Sequence, residues 1–137
     1  MRSFANRTDG FSDSIFAVMS QKAAEHNAIN LSQGFPDFDG PQFIKESAKF
    51  FIDRGRNQYA PYAGVPELRA EISNVYSNWY GLDYNKDSEV TVVNGATEGI
   101  YATIQALVNP GDEVVVFEPV YDSYVSSIKL AGGIPVP

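Results

Sequence analysis

Two short apolar runs rich in β-branched residues, 90–93 (VTVV) and 114–117 (VVVF), constrain the fold more than any other part of the sequence. Runs of this kind are typical of parallel strands that are covered on both faces. Between them, 100–108 has only Thr103 and Gln105 as strongly polar side chains, which predicts a helix buried nearly all round. Strand, helix and strand over 90–117 predict a βαβ unit, and so an α/β fold with a parallel sheet.

Apolar periodicity predicts four further helices, at 14–27, 41–54, 66–80 and 121–130. Asp13 is the expected N-cap of the first of these helices, and Pro41 suits the opening position of the second. The final residues, IPVP, look like the opening of another strand that is interrupted within the element. We therefore expect the fold to continue beyond this chain, which would make it a fragment of a longer protein.

Charge and composition exclude several classes of function. The 137 residues carry a net charge of −7, which argues against a nucleic acid or an anionic membrane surface as the main partner. Cysteine is absent and His26 is the single histidine, so disulfides, thiol nucleophiles and the common metal sites are not expected. The stretch 83–94 begins like a calcium loop, but Ser88 and Asn94 stand where glycine and glutamate are needed. Without a signal peptide or a membrane-spanning run, a cytoplasmic location is the simplest expectation.

A glycine-bearing turn, 94–97 (NGAT), lies between the first apolar run and the following helix. Ligands of α/β proteins collect beyond the carboxyl ends of the strands, and the first N–H groups of a helix have no internal partners. A phosphate could therefore bind the backbone here, with the Thr97 hydroxyl as an additional donor. The alternative is an ordinary strand–helix turn capped by Asn94. The usual nucleotide motifs are absent, so a nucleotide-binding module is not indicated.

Four segments, in this order along the chain, resemble the N-terminal third of a class I aminotransferase: 29–41 (INLSQGFPDFDGP), 57–69 (NQYAPYAGVPELR), 93–124 (VNGATEGIYATIQALVNPGDEVVVFEPVYDSY) and 131–137 (AGGIPVP). Enzymes of this family use pyridoxal 5′-phosphate and have the fold-type-I architecture. The chain is most similar to the branch of methionine-, kynurenine- and glutamine-type transaminases. The resemblance implies an N-terminal arm and helix over 1–35, followed by the beginning of the large cofactor-binding domain over 36–137.

The resemblance also implies a set of cofactor-binding residues. The turn that matches Gly95, Ala96 and Thr97 holds the cofactor phosphate in this family. The aromatic residue that matches Tyr121 stacks on the pyridine ring. The position of Tyr121 alone is equally consistent with a half-buried aromatic residue that packs at the start of a helix. The tyrosine that matches Tyr59 reaches the phosphate of the neighbouring subunit, which implies a homodimer. Without the resemblance, Tyr59 would be interpreted as a residue that packs on the protein surface.

Two residues are implied on the substrate side. The glycine that matches Gly34 lies beside the substrate carboxylate, and Phe16 matches an aromatic residue that helps to form the side-chain pocket. The implied reaction moves an amino group between an amino acid and a 2-oxo acid. A carbon–sulfur β-lyase on the same fold, and an inactive truncated domain that only self-associates, are the alternatives.

The lysine that carries the cofactor as a Schiff base in this family has no match here. None of the chain's five lysines lies in the corresponding motif: Lys22, Lys45, Lys49, Lys86 and Lys129. Asp122 and Arg69 match other positions, so neither replaces the aspartate and arginine that pair with the cofactor and the substrate. We therefore expect the parent protein to be the enzyme and this chain alone to be inactive. We also expect the isolated chain to self-associate or to lack fixed tertiary packing.

Overall fold

The computed structural model describes residues 5–34 and 36–137. A 3₁₀ helix at Asn6–Thr8 is followed by α1 (Ile15–Glu25), α2 (Gln42–Asp53), α3 (Pro66–Tyr80), α4 (Ala96–Leu107), β1 (Glu113–Val115), α5 (Asp122–Leu130) and β2 (Ile134–Val136). β1 and β2 pair in parallel. These elements confirm the α/β class and the predicted bounds of α3, and they place α5 and β2 where the sequence predicts a helix and a strand.

The parallel unit is built from β1, α5 and β2. Glu113 pairs with Ile134, and Val115 with Val136. The helix that connects the strands packs through Ile128, which is 1% exposed. Gly133 allows close packing beside β2, because a Cβ built there would lie 2.7 Å from Cγ1 of Val108. This βαβ unit is therefore real, but it spans 113–136 and not 90–117.

The predicted strand at 90–93 is wrong, since these residues have no regular secondary structure. One backbone hydrogen bond connects the run to another segment, from the N–H of Val92 to the carbonyl of Ala63 at 3.0 Å. A strand requires a ladder of such bonds with a neighbouring strand. Apolar, β-branched composition favours the extended backbone of 90–93 but does not supply that neighbour.

The predicted all-round burial of the helix at 100–108 is also wrong. α4 begins four residues earlier, at Ala96, and none of its residues is buried. Tyr101 and Leu107 are 45% and 74% exposed. Within the described residues α5 is the helix that packs against α4, so one face of α4 is covered and its other apolar side chains remain exposed.

The N-terminus of α1 differs from the prediction by one residue. Ser14, and not Asp13, is the N-cap, because its side-chain oxygen accepts a hydrogen bond from the N–H of Phe16 at 3.3 Å. A serine oxygen in this position satisfies one of the N–H groups that a helix start leaves without a partner. The next helix, α2, begins at Gln42, one residue later than predicted. Pro41 is therefore its N-cap residue and not its first helical residue.

The chain divides into two compact units: 36–93, and the two flanking segments 1–35 and 94–137. In the 36–93 unit the buried Arg69 donates from Nε to the carbonyl of Lys86 at 2.8 Å, and its Nη2 lies 3.4 Å from Oδ1 of Asp87. The hydrogen bond from Lys86, with the nearby positive charges, lowers the pKa of Asp87 below its ordinary value of 3.8. Arg69 thus holds the 86–87 loop. The domain boundary at 35/36 stays a prediction.

Many large apolar side chains of the described residues are exposed, among them Ile29, Leu31 and Phe117 at 86%, 90% and 88%. Over 5–34 and 36–137, no helix has the length and apolar character needed to cross a membrane. In the same ranges, no group of three or more acidic or histidine side chains is arranged to hold a metal ion.

Candidate functional site

Among the described residues, the start of α4 has backbone N–H groups without side-chain partners. Gly95 is the N-cap residue and provides no side-chain hydrogen bond, so the alternative of a turn capped by Asn94 is wrong. The first helical bond runs from the N–H of Gly99 to the carbonyl of Gly95 at 3.3 Å. The N–H groups of Ala96, Thr97 and Glu98 therefore precede the hydrogen-bonded part of the helix, at the positive end of its dipole.

Glycine at position 95 explains why this turn is open. Its backbone has φ 91° and ψ 163°, a conformation that is essentially restricted to glycine. A Cβ built on Gly95 would meet no atom within 4 Å, so the space beside the helix start is free. The Glu98 carboxylate turns back to accept a hydrogen bond from the N–H of Asn94. This bond ties the turn to the first turn of the helix.

Three hydroxyl groups meet beside this turn. Oγ1 of Thr97 lies 3.3 Å from the Tyr121 hydroxyl and 3.4 Å from Oγ of Ser123. Contacts of this length between exposed hydroxyls are weak, so each group can still donate to a further acceptor. Ser123 was not identified from the sequence. Its position two residues after Tyr121, in the first turn of the predicted helix, was the signal that could have identified it.

Tyr121 joins this hydroxyl cluster to α1. It precedes α5 and is 42% exposed, which leaves part of its ring accessible. The ring centroid lies 6.5 Å from that of Phe16, with 49° between the planes, and 5.7 Å from that of Tyr124. The structure therefore brings together Phe16, Tyr121 and the turn at 95–97, all from the flanking segments of the 36–93 unit.

A second contact between α1 and α5 was also not found from the sequence. Oγ of Ser14 donates to Oδ2 of Asp122 at 2.9 Å. Both residues line an open cleft of about 730 Å³ between the segment 9–18 and α5. No sequence signal links residues that lie 108 positions apart in the chain.

The other two predicted site residues are not placed in this cluster. A Cβ built on Gly34 would meet no atom of the described residues within 4 Å, and no hydrogen bond of the described residues joins Gly34 to Tyr121 or the turn. Tyr59 belongs to the 36–93 unit and is fully exposed. The roles of both residues stay predictions.

The cluster suits a phosphate monoester chemically. Free N–H groups at a helix start, open space beside a glycine and a threonine hydroxyl are the usual means of holding a tetrahedral anion without a lysine. The partly exposed ring of Tyr121 lies next to this position and can stack on a planar group. A planar ring that carries a phosphate matches both features.

Comparison with known proteins gives a consistent result. The family model for aminotransferase class I and II matches residues 26–137. The methionine aminotransferase of Escherichia coli K12 is 52% identical over 120 residues, which cover 88% of this chain and 31% of that protein. The kynurenine–oxoglutarate transaminase of Dictyostelium discoideum is 40% identical over 132 residues, covering 96% of this chain and 30% of its own length.

Solved structures agree with these matches. The crystal structure of the Escherichia coli methionine aminotransferase superimposes with a TM-score of 0.91 at 46% identity, covering 99% of this chain and 36% of that structure. The N-succinyldiaminopimelate aminotransferase of Mycobacterium tuberculosis superimposes with a TM-score of 0.87 at 41% identity, covering 98% and 36%. These neighbours confirm the fold-type-I architecture. The chain spans about a third of the length of the relatives it matches. Over that part, both sequence and structure show that this chain belongs to the class I and II aminotransferase family.

Proposed function

We propose that the protein containing this chain transfers an amino group between an amino acid and a 2-oxo acid, with pyridoxal 5′-phosphate as cofactor. The observation that carries the proposal is the open start of α4 at Gly95, with the Thr97 and Tyr121 hydroxyls beside it. Methionine and kynurenine are the first amino donors to test, because relatives at 52% and 40% identity are named for them. The relatives described above are aminotransferases, so the β-lyase and non-enzymatic alternatives gain no support.

The residues of this chain would divide the binding between them. The N–H groups of Ala96 and Thr97 and the Thr97 hydroxyl would hold the phosphate, and Gly95 would keep that space free. The ring of Tyr121 would stack on the pyridine ring and fix its plane. When bound, the cofactor supplies an electron sink for the carbanion that remains when the substrate α-proton leaves.

Substrate binding and assembly complete the proposal. Gly34 would lie beside the substrate carboxylate, and Phe16 would border the side-chain pocket. Tyr59, 102% exposed, would reach the phosphate in a second copy of the chain, so the active protein would be a homodimer. The lysine that moves the proton would come from outside residues 1–137, and the protein would act in the cytoplasm, with 1–35 and 36–137 in separate domains.

Equilibrium dialysis tests the cofactor site directly. The comparison is between pyridoxal 5′-phosphate and pyridoxal, which has the same ring without the phosphate. Because charge-assisted hydrogen bonds and the helix dipole act on the phosphate alone, we expect an affinity ratio of about 100. Equal affinities would exclude the α4 start as a phosphate site. Consumption of methionine or kynurenine in the presence of a 2-oxo acid acceptor, with formation of the aminated acceptor followed by NMR, tests the reaction itself.

A further inference from the structure

Ser14 makes two hydrogen bonds at once. Its side-chain oxygen accepts from the N–H of Phe16 at 3.3 Å, which caps α1. The same hydroxyl donates to Oδ2 of Asp122 at 2.9 Å, in a part-buried position. At 2.9 Å the bond is longer than the strongest hydroxyl–carboxylate hydrogen bonds, but its acceptor is a charged group and it is partly shielded from solvent. The position of the α1 start is therefore coupled to α5.

The two bonded residues are neighbours of the two aromatic residues in the candidate site. Asp122 follows Tyr121 directly and opens α5, while Ser14 lies two positions before Phe16 and opens α1. The rings of Phe16 and Tyr121 approach to 6.5 Å between centroids. Any rotation or shift of the α1 start would move the Phe16 ring relative to Tyr121.

In the described part of the chain, the Ser14 side chain provides the polar contact between the α1 start and α5. Across the described residues of the segments 5–34 and 94–137, the Ser14–Asp122 hydrogen bond is the one hydrogen bond that joins the two segments. No ion pair joins the same described residues. Ring contacts alone restrain orientation weakly, because aromatic pairs tolerate a range of tilts and distances. The hydrogen bond therefore adds a directional restraint to the packing of the N-terminal segment on α5.

We infer that Ser14 and Asp122 are positioning residues that fix the Phe16 wall of the substrate side-chain pocket. This inference rests on the proposed function, in which Phe16 borders the pocket and Tyr121 stacks on the cofactor. Amino acids with long apolar or aromatic side chains touch that wall. Alanine, whose side chain is a single methyl group, does not depend on it. Loss of the hydrogen bond therefore changes selectivity between donors and leaves the reaction itself intact.

The test breaks the hydrogen bond while keeping the helix cap. Aspartate is as good an N-cap as serine, so Ser14→Asp keeps the cap of α1 but places a carboxylate against Asp122. Combining it with Asp122→Asn restores a donor, because the amide introduced at position 122 can donate to the carboxylate introduced at position 14. Ser12→Asp is the matched control: it adds the same charge to the same segment, two residues away from the bond.

Steady-state kinetics with methionine and with alanine gives the readout. We expect Ser14→Asp to raise KM for methionine on the order of tenfold. KM for alanine, and kcat with either donor, should change less than about twofold. The double variant should lower KM for methionine most of the way back to the value of the unsubstituted protein. Ser12→Asp should have the same kinetics as the unsubstituted protein. A loss of fold alone would affect both donors equally, and adding Asp122→Asn would not rescue it.

Three results would overturn the inference. If Ser14→Asp leaves the methionine KM unchanged in an active protein, the hydrogen bond does not position the pocket, although the proposed function stands. If the double variant is no better than Ser14→Asp, or if methionine and alanine are affected alike, the role is structural only. If the unsubstituted protein binds no pyridoxal 5′-phosphate and transfers no amino group, the proposed function fails, and this inference fails with it.

Discussion

Gly64 and Gly95 both have a positive φ, at +98° and +91°, but their surroundings are opposite. A Cβ built on Gly64 would lie 2.6 Å from Cγ2 of Val92, so the glycine is needed for packing inside the 36–93 unit. A Cβ built on Gly95 would meet nothing within 4 Å. One glycine makes room for a neighbour that is already there, and the other keeps a space that the chain itself does not fill.

This difference separates a structural position from a candidate binding position. The Gly64 region is closed: Val92 packs on the glycine, and the N–H of Val92 donates to the adjacent carbonyl of Ala63 at 3.0 Å. The Gly95 region is open, with N–H groups of the helix start still available. Substitutions at the two glycines should therefore affect different measured quantities.

Gly64→Ala should have the largest effect on stability. A left-handed backbone and an overlap with Val92 act together, so we expect a loss of about 2 to 4 kcal/mol in the free energy of unfolding, measured by urea denaturation. Gly55→Ala is the matched control, because Gly55 has φ +75° in the same unit and open space around its Cβ position. It isolates the backbone term and should cost about 1 kcal/mol. Equal losses at the two positions would show that the overlap with Val92 is relieved without cost.

Gly95→Ala should come next. The backbone strain predicts a loss of about 1 to 2 kcal/mol in the unfolding free energy of the cofactor-free protein. The added methyl group also enters the proposed phosphate space, so affinity for pyridoxal 5′-phosphate should fall by about tenfold or more, measured by equilibrium dialysis. Gly55→Ala should leave that affinity unchanged. An unaltered affinity in Gly95→Ala would place the phosphate elsewhere.

Thr97→Val should affect binding without affecting stability. Valine has the same shape but lacks the hydroxyl, and the contacts of that hydroxyl with Tyr121 and Ser123 are long and exposed. We expect affinity for pyridoxal 5′-phosphate to fall by about tenfold, with less than about 0.5 kcal/mol change in unfolding free energy. Affinity for pyridoxal should not change. A parallel loss of stability would mean that the hydroxyl cluster is structural, like the Gly64 region.

The smallest effect should come from Asp87, an exposed residue of the 36–93 unit. Its pKa is lowered in the folded protein, mainly by the hydrogen bond from Lys86, so its contribution is present above pH 3.8, the ordinary value. That contribution is lost as the pH falls below 3.8, through the lower folded pKa. Asp87→Asn should reduce the steepness of the acid unfolding curve in this range. Superimposable acid unfolding curves for Asp87→Asn and the unsubstituted protein would contradict the lowered pKa of Asp87.

The sequence predicts the features that depend on neighbouring residues. Pro66 and the apolar spacing after it are sufficient for α3, and glycine at position 95 indicates an open turn before α4. The choice of Ser14 over Asp13 as the cap depends on a shift of one residue, which periodicity does not resolve.

Features that depend on distant partners were not predictable in the same way. The run at 90–93 has the composition of a strand but no ladder of hydrogen bonds, and α4 has the composition of a buried helix but is covered on one face. The composition of a segment shows which secondary structure or burial it favours. Whether the segment adopts it depends on the presence of a neighbouring strand or a covering surface. The contact of Ser14 with Asp122 follows from tertiary structure alone. The family resemblance supplied the role of Tyr121, which the residues themselves left open.

The sequence separation of the Ser14–Asp122 hydrogen bond has a consequence for the order of folding. The bond closes a loop of 108 positions that contains the entire 36–93 unit. Closing a long loop costs chain entropy, and contacts between distant residues form slowly. We therefore expect 36–93 to reach its native contacts before the N-terminal segment docks on α5. A collapsed but immature chain would already have the open helix start at Gly95, while the approach of Phe16 to Tyr121 would be among the last events of maturation.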